Sequence, residues 1–149
     1  MFKAKEYFSD SFKKFSDRSA FLDKSGVRFR YSDIKNLSES KFFQVLDRKL
    51  IICKMTNDPE CLALYFVLLA SGAIPLLTSE NINDSEYSKL LKAYQPFAEL
   101  VKINKKSDLN DSFTSSLVTN YTVRLLNHEN IKYSIHEDLA LLLPTSGST

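Results

Sequence analysis

A chain of 149 residues, 44% hydrophobic and 26% charged, has the makings of one folded domain, which excludes a disordered polypeptide. Twenty basic and 18 acidic residues are interspersed and leave a net charge of +2. The short basic runs at Lys13-Lys14 and Lys102 to Lys106 therefore read as solvated faces, and no nucleic-acid partner is expected. Only Gly26, Gly72 and Gly147 are glycine, where an average usage of about 7% gives roughly ten, so the clustered-glycine dinucleotide and Walker A motifs are excluded.

In chain order, Phe8, Phe12 and Phe15 share one face of a first helix, which is expected to pack against the domain rather than lie on a membrane surface. Early charges at Lys3, Lys5 and Glu6 exclude a signal peptide. Ala20 to Leu22 and Val27 to Tyr31 flank Asp23-Lys24-Ser25-Gly26, a hairpin signal with glycine where positive φ is wanted. Ser32 offers an N-cap for a helix through about Leu46, with Ile34, Leu37 and Phe42 or Phe43 inward.

Leu50 to Cys53 is a wholly apolar run, the kind of strand that is covered on both faces. Asn57-Asp58-Pro59-Glu60 starts the next helix with a capping side chain, a first-turn proline and an acid at the positive dipole end. Gly72 then stops it. Ala73 to Leu77 is a second buried strand. Asn83, Asp84 or Ser85 caps a further helix that ends before Gln95-Pro96, and Phe97 to Ile103 is a third strand. This alternation predicts an α/β fold with helices on a mostly parallel sheet and an N-terminal β-hairpin.

Residues 104–116 turn polar and read as a loop. Tyr121 to Leu126 and Ile131 to Ile135 are expected to pair as a hairpin, and Leu139 to Leu143 to form a last buried strand. The apolar stretch Leu62 to Leu77 is too short for a membrane span and is interrupted by Gly72 and Pro75. Cys53 and Cys61 form no C-x-x-C pair and read as free buried thiols. Zinc binding with His128 and His136 does not fit ligand spacing, so a soluble cytoplasmic protein is expected.

Chemistry concentrates after the last apolar strand, at Thr145-Ser146-Gly147-Ser148-Thr149. Glycine permits close backbone approach, while hydroxyls and successive backbone N–H groups can cradle an anion. Together with Glu137, Asp138 and Ala140 before it, this segment resembles the core nucleotide motif of the adenylate-forming (AMP-binding) superfamily. That superfamily comprises acyl- and aryl-CoA ligases, nonribosomal peptide synthetase adenylation domains and luciferase. Upstream, Tyr31 to Ile34, Asn57, Pro59, Glu60, Gly72 to Leu76 and Glu86 to Pro96 match further family segments in order, so the resemblance spans about residues 20 to 149. Pro144 departs from it, standing where an aromatic or apolar residue is usual.

The resemblance implies the N-terminal portion of an adenylation-enzyme large domain over residues 1–149, cut within the phosphate-binding loop. The Gly, Pro and Lys that continue the motif would lie beyond Thr149, as would the acyl pocket, the ribose and magnesium sites and the C-terminal domain. For the intact enzyme it implies ATP and Mg2+ as cofactors, a small carboxylic acid substrate, and CoA or a carrier-protein thiol as acceptor. Thr145, Ser146, Gly147, Ser148 and Thr149 would then bind ATP phosphates, and no residue of this stretch would be catalytic. Alone, the chain is expected to be inactive and to self-associate through uncovered apolar surface. The alternative is a non-catalytic α/β interaction or regulatory domain, with 145–149 as a solvated tail.

Overall fold

The structure, a computed structural model, describes residues 4–104, 110–126 and 134–144. A four-stranded sheet is ordered β4-β3-β5-β6, from β3 (Leu50–Met55), β4 (Ile74–Ser79), β5 (Ala98–Lys102) and β6 (Tyr121–Leu125). Separate from it, β1 (Ser19–Leu22) and β2 (Arg28–Arg30) form an antiparallel hairpin. Strands β4, β3 and β5 run parallel and β6 is antiparallel to β5. The α/β class, the mostly parallel sheet and the N-terminal hairpin are as expected from the sequence.

Local chemistry explains the element boundaries. Helix α4 (Pro59–Ser71) starts where the Asp58 carboxylate accepts the Glu60 N–H at 2.9 Å, with proline at the first turn. It stops at Gly72 in the left-handed region, φ 86°. Helix α5 (Asp84–Tyr94) is capped by Asn83, whose side chain accepts the Glu86 N–H, and ends at Gln95, φ 44°. In the β1–β2 turn, Asp23 accepts backbone N–H groups from Ser25 and Val27, and Gly26 supplies φ 88°.

Strand alternation divides the sheet into two faces. Ile51, Cys53, Ala98, Leu100, Tyr121 and Val123 point into the larger core, with α4 and the N-terminal elements. There α1 (Ala4–Lys14) places Phe8 and Phe12 against Phe66 of α4, and Phe12 against Tyr31. The phenylalanine face is thus internal to the domain. Leu50, Ile52, Ile74 and Leu76 point the other way, against Tyr87, Leu90, Leu91 and Tyr94 of α5. Each fully buried Leu or Ile contributes about 1.5–3 kcal/mol relative to exposure, which makes the strands of the β3–β4–β5 core the most firmly held part of the chain. Cys53 and Cys61 are free thiols, both buried.

Of three further expectations, two are corrected and one falls largely outside the described residues. The helix predicted from an N-cap at Ser32 through about Leu46 starts two residues earlier, with its N-cap at Arg30, and is broken. Helix α2 (Tyr31–Ser38) begins after Arg30, whose N–H donates to Asp33 at 2.8 Å, so Ser32 is not the cap. Its ladder then competes with the Ser38 hydroxyl, which donates to the Lys35 carbonyl. The chain becomes extended at Ser40, and α3 (Lys41–Gln44) begins afresh.

Second, β6 pairs with β5, and the hairpin expected with Ile131 to Ile135 falls largely outside the described residues. The other edge of β6 is met by the preceding loop: Phe113 N–H donates to Val123 and Leu125 N–H to Asp111. Residues 127–133 lie outside the described residues, and Ser134 and Ile135 are not in a strand. Third, Leu139 to Leu143 is half-buried and joins the sheet through a single parallel bridge, Leu76 to Leu142, rather than as a buried strand. It lies at the outer edge of β4, so only one side of it has a partner to bury against, and Leu143 is 64% exposed.

Candidate phosphate-loop approach and sheet-end cleft

Thr145, Ser146, Gly147, Ser148 and Thr149 lie outside the described residues, so the geometry begins with what leads to them. Leu142 donates its N–H to the Pro75 carbonyl at 2.8 Å and accepts the Leu77 N–H at 2.9 Å. The approach therefore runs parallel to β4, towards the carboxyl ends of β3, β4 and β5. In open α/β sheets that end is where ligands bind.

At the start of the approach, Leu139 N–H donates to the His136 carbonyl at 3.0 Å, closing a turn that contains Glu137 and Asp138. Both acids are exposed. The Asp138 N–H lies 3.3 Å from His136 Nδ1. Arg48 reaches the same turn, donating from Nη1 to the Leu139 carbonyl at 2.9 Å and from Nη2 to the His136 carbonyl at 2.6 Å. Of the residues quoted from the sequence, Asn57, Pro59 and Glu60 sit at the carboxyl end of β3. Glu60 does more than complement the helix dipole: its carboxylate accepts the backbone N–H groups of Thr119 (3.0 Å) and Asn120 (2.7 Å), tying the loop before β6 to α4.

The carboxyl ends of the parallel strands also open onto a cleft of about 630 Å³, lined by Lys54 of β3, Tyr87 of α5, Glu99 of β5 and Arg124 of β6 among others. Its wall holds a buried polar network. Glu99, 3% exposed, accepts hydrogen bonds from the Tyr87 hydroxyl and the Arg124 guanidinium, and Lys54 Nζ sits 3.9 Å from the centre of the Tyr87 ring. Burial, followed by the hydrogen bond to Glu99, pushes the Tyr87 hydroxyl well above the ordinary phenol range, so it stays protonated and donates to Glu99. Thr56 and Tyr121 share a hydroxyl hydrogen bond of 2.9 Å at the rim. Sequence reading missed this network. Its one signal was Glu99, an acid inside the otherwise apolar run Phe97 to Val101.

Among the described residues no group of three or more His, Cys, Asp or Glu side chains could hold a metal, and no helix is long and apolar enough to cross a membrane. His128, considered with the thiols for zinc, lies outside the described residues.

No family model matches the sequence, and no curated protein matches it. Solved structures do match in fold. A benzoate CoA ligase from Burkholderia xenovorans superimposes over 65% of this chain and 21% of its own, at 14% identity and a TM-score of 0.53. The N-terminal subdomain of NpsA from Klebsiella oxytoca, in complex with 3-hydroxybenzoyl-AMSN, covers 65% of this chain and 26% of its own, at 15% identity and a TM-score of 0.53. A luciferase-like enzyme from the mealworm Zophobas morio covers 64% and 24%, at 16% identity and a TM-score of 0.55. The chain spans about a fifth to a quarter of the length of these structures. Over the matched region, the fold of this chain resembles that of part of these adenylate-forming enzymes.

Proposed function

We propose that this chain forms the N-terminal portion of the large domain of a cytoplasmic, ATP-dependent, AMP-forming acid–thiol ligase. In that reaction a carboxylate attacks the α-phosphate of Mg-ATP, pyrophosphate leaves, and CoA or a carrier-protein thiol takes the acyl group from the acyl-adenylate. The observation that carries the reading is the agreement in fold with adenylate-forming enzymes over about two-thirds of the chain. Two further points support it. The Thr145-Ser146-Gly147-Ser148-Thr149 motif follows a segment directed at the carboxyl ends of the parallel strands, and the NpsA N-terminal subdomain is known in complex with anthranilyl-AMSN and 3-hydroxybenzoyl-AMSN.

On this reading, Thr145, Ser146, Ser148 and Thr149 donate hydroxyl and backbone N–H hydrogen bonds to the β- and γ-phosphates, and Gly147 admits the phosphates against the main chain. They orient and neutralise a leaving group, so their contribution is positioning and charge stabilisation rather than nucleophilic or acid–base chemistry. Magnesium is assigned no ligand in this chain. The purified 149-residue chain is expected to show no ATP–pyrophosphate exchange, because the reading places base recognition, metal and acyl sites outside these residues. Turnover by the chain alone would overturn that division of labour. The reading itself is tested by the coding sequence that follows Thr149. Codons for Gly-x-Pro-Lys are expected, whereas an immediate stop codon favours a non-catalytic interaction or regulatory domain.

A further inference from the structure

Arg48 stands at the corner between α3 and β3 with φ 57°, a left-handed conformation uncommon for a residue with a side chain. Its backbone is held there by its own N–H, which donates to the Gly72 carbonyl at 2.9 Å. Next to it the Lys49 carbonyl accepts the Ile74 N–H at 2.8 Å. This corner thus fastens the start of β3 to the start of β4, and it aims the Arg48 side chain across the sheet edge. Two nitrogens of one guanidinium then hold two carbonyls of a single turn, 88 and 91 residues later in the chain. A planar fork with fixed donor directions suits that bridge, and a lysine ammonium does not reproduce it.

From this turn the chain has three residues to reach Leu142, where the hydrogen bonds to Pro75 and Leu77 seat it on β4. The hydrogen-bonded anchors of the approach are thus two, a side chain from the amino end of β3 and the backbone edge of β4, while Ile135, Leu139 and Leu142 add apolar packing against the β3–β4 face. We propose that Arg48 is a positioning residue for the phosphate-binding loop. By capping the His136–Leu139 turn, it sets where the approach along β4 begins, and with it the course of the segment that leads into Thr145 to Thr149. This rests on the function proposed above for those five residues. Arg48 does not itself reach the carboxyl end of the sheet, so its role is exercised entirely through the segment it holds.

The test compares the wild-type chain with Arg48→Gly, Arg48→Ala and Arg48→Lys by amide hydrogen exchange and by amide spectra during titration with Mg-ATP. Arg48→Gly keeps the left-handed corner without strain and deletes only the fork, so it serves even where Arg48→Ala fails to fold. In Arg48→Gly the Leu142 and Leu77 amides are expected to exchange about tenfold faster or more, while Ile52 and Leu100 in the central strands stay protected. Arg48→Lys should fall between, and the response of the Gly147 amide to Mg-ATP should weaken in the same order. Unchanged protection at Leu142 and Leu77 overturns the proposal, as does equal loss across all strands, or an equal Gly147 response in wild type and Arg48→Gly. A wild-type Gly147 amide silent to Mg-ATP, with the exchange contrast intact, instead overturns the phosphate-loop reading and leaves the anchoring standing.

Discussion

Residues 50–102 and residues 134–144 meet along β4 and are held in opposite ways. In the first region, β3, β4 and β5 bury apolar side chains on two faces and carry continuous ladders, so many small contributions act together. In the second, a half-buried segment packs three side chains, Ile135, Leu139 and Leu142, on one face of the sheet, and its hydrogen-bonded hold is one parallel bridge and one arginine. The difference shows where precision comes from when area is scarce. A segment that buries little can still be placed by a few directional hydrogen bonds, but its opening free energy is then local and low. On the function proposed above, such a segment suits the approach to a loop that would admit and release phosphates.

The largest expected effect breaks the contrast at its strong side. Leu64→Ala, in the fully buried part of α4, should destabilise the chain by about 2–5 kcal/mol in urea unfolding. Leu142→Ala should cost well under that and act mainly on exchange at Leu77. Equal losses for the two would dissolve the distinction.

Gly72→Ala comes next, because it strikes where the two regions are coupled. The residue has φ 86°, and a Cβ there would lie 2.1 Å from Asp47 Oδ1, so a loss of about 1–3 kcal/mol is expected in thermal unfolding. Because the Gly72 carbonyl also holds Arg48, that variant should loosen Leu142 as well. A neutral Gly72→Ala would contradict the packing at this corner.

Tyr87→Phe removes a donor from buried Glu99 while Arg124 remains, and should cost about 1–2 kcal/mol. A stabilising result would mean that the polar wall of the cleft is not a coupled network. Light scattering addresses the surface: exposed apolar side chains such as Leu117 and Leu143 are expected to drive self-association at high concentration, and a strictly monomeric species would count against it.

The smallest effect concerns pH. Burial, with some repulsion from Cys61, pushes the Cys53 thiol well above its ordinary range, and burial raises Cys61 too. Both stay neutral when folded but ionise when unfolded above about pH 8.5, so their contribution is fully present below that pH and declines as pH rises. The raised hydroxyls of Tyr65, Tyr87 and Tyr121 act in the same direction above about pH 10. Replacing both cysteines by alanine should flatten the first part of that decline, measured as urea midpoints across pH.

What the sequence made legible follows the same division. Asp58, Asn83 and Gly72 cap their helices through contacts within a few residues, and the apolar runs of β3 and β4 can be nothing but buried, so their elements could be read directly. The pairing of β6 could not, because it is set by contacts with β5 and with residues 111–113 that no local pattern announces. Arg48 left no local trace either. Its partners are backbone carbonyls 88 and 91 residues away, and a carbonyl has no residue identity for a motif to record. Glu99 and Arg124 are 25 residues apart on neighbouring strands, and only the antiparallel register brings them together. The candidate loop was visible through its composition and family resemblance, since glycine and hydroxyl chemistry is written in the residues themselves.

The central claim, that Thr145 to Thr149 are a phosphate-binding loop carried on an adenylate-forming fold, is tested most directly by the amide spectrum of the wild-type chain titrated with Mg-ATP. The account predicts weak, millimolar shifts centred on Gly147 and its neighbours, with the Leu64 and Val67 amides of α4 unmoved. Shifts that leave Gly147 untouched and appear instead around Lys54 and Arg124 in the cleft, or no shifts at all, would contradict it.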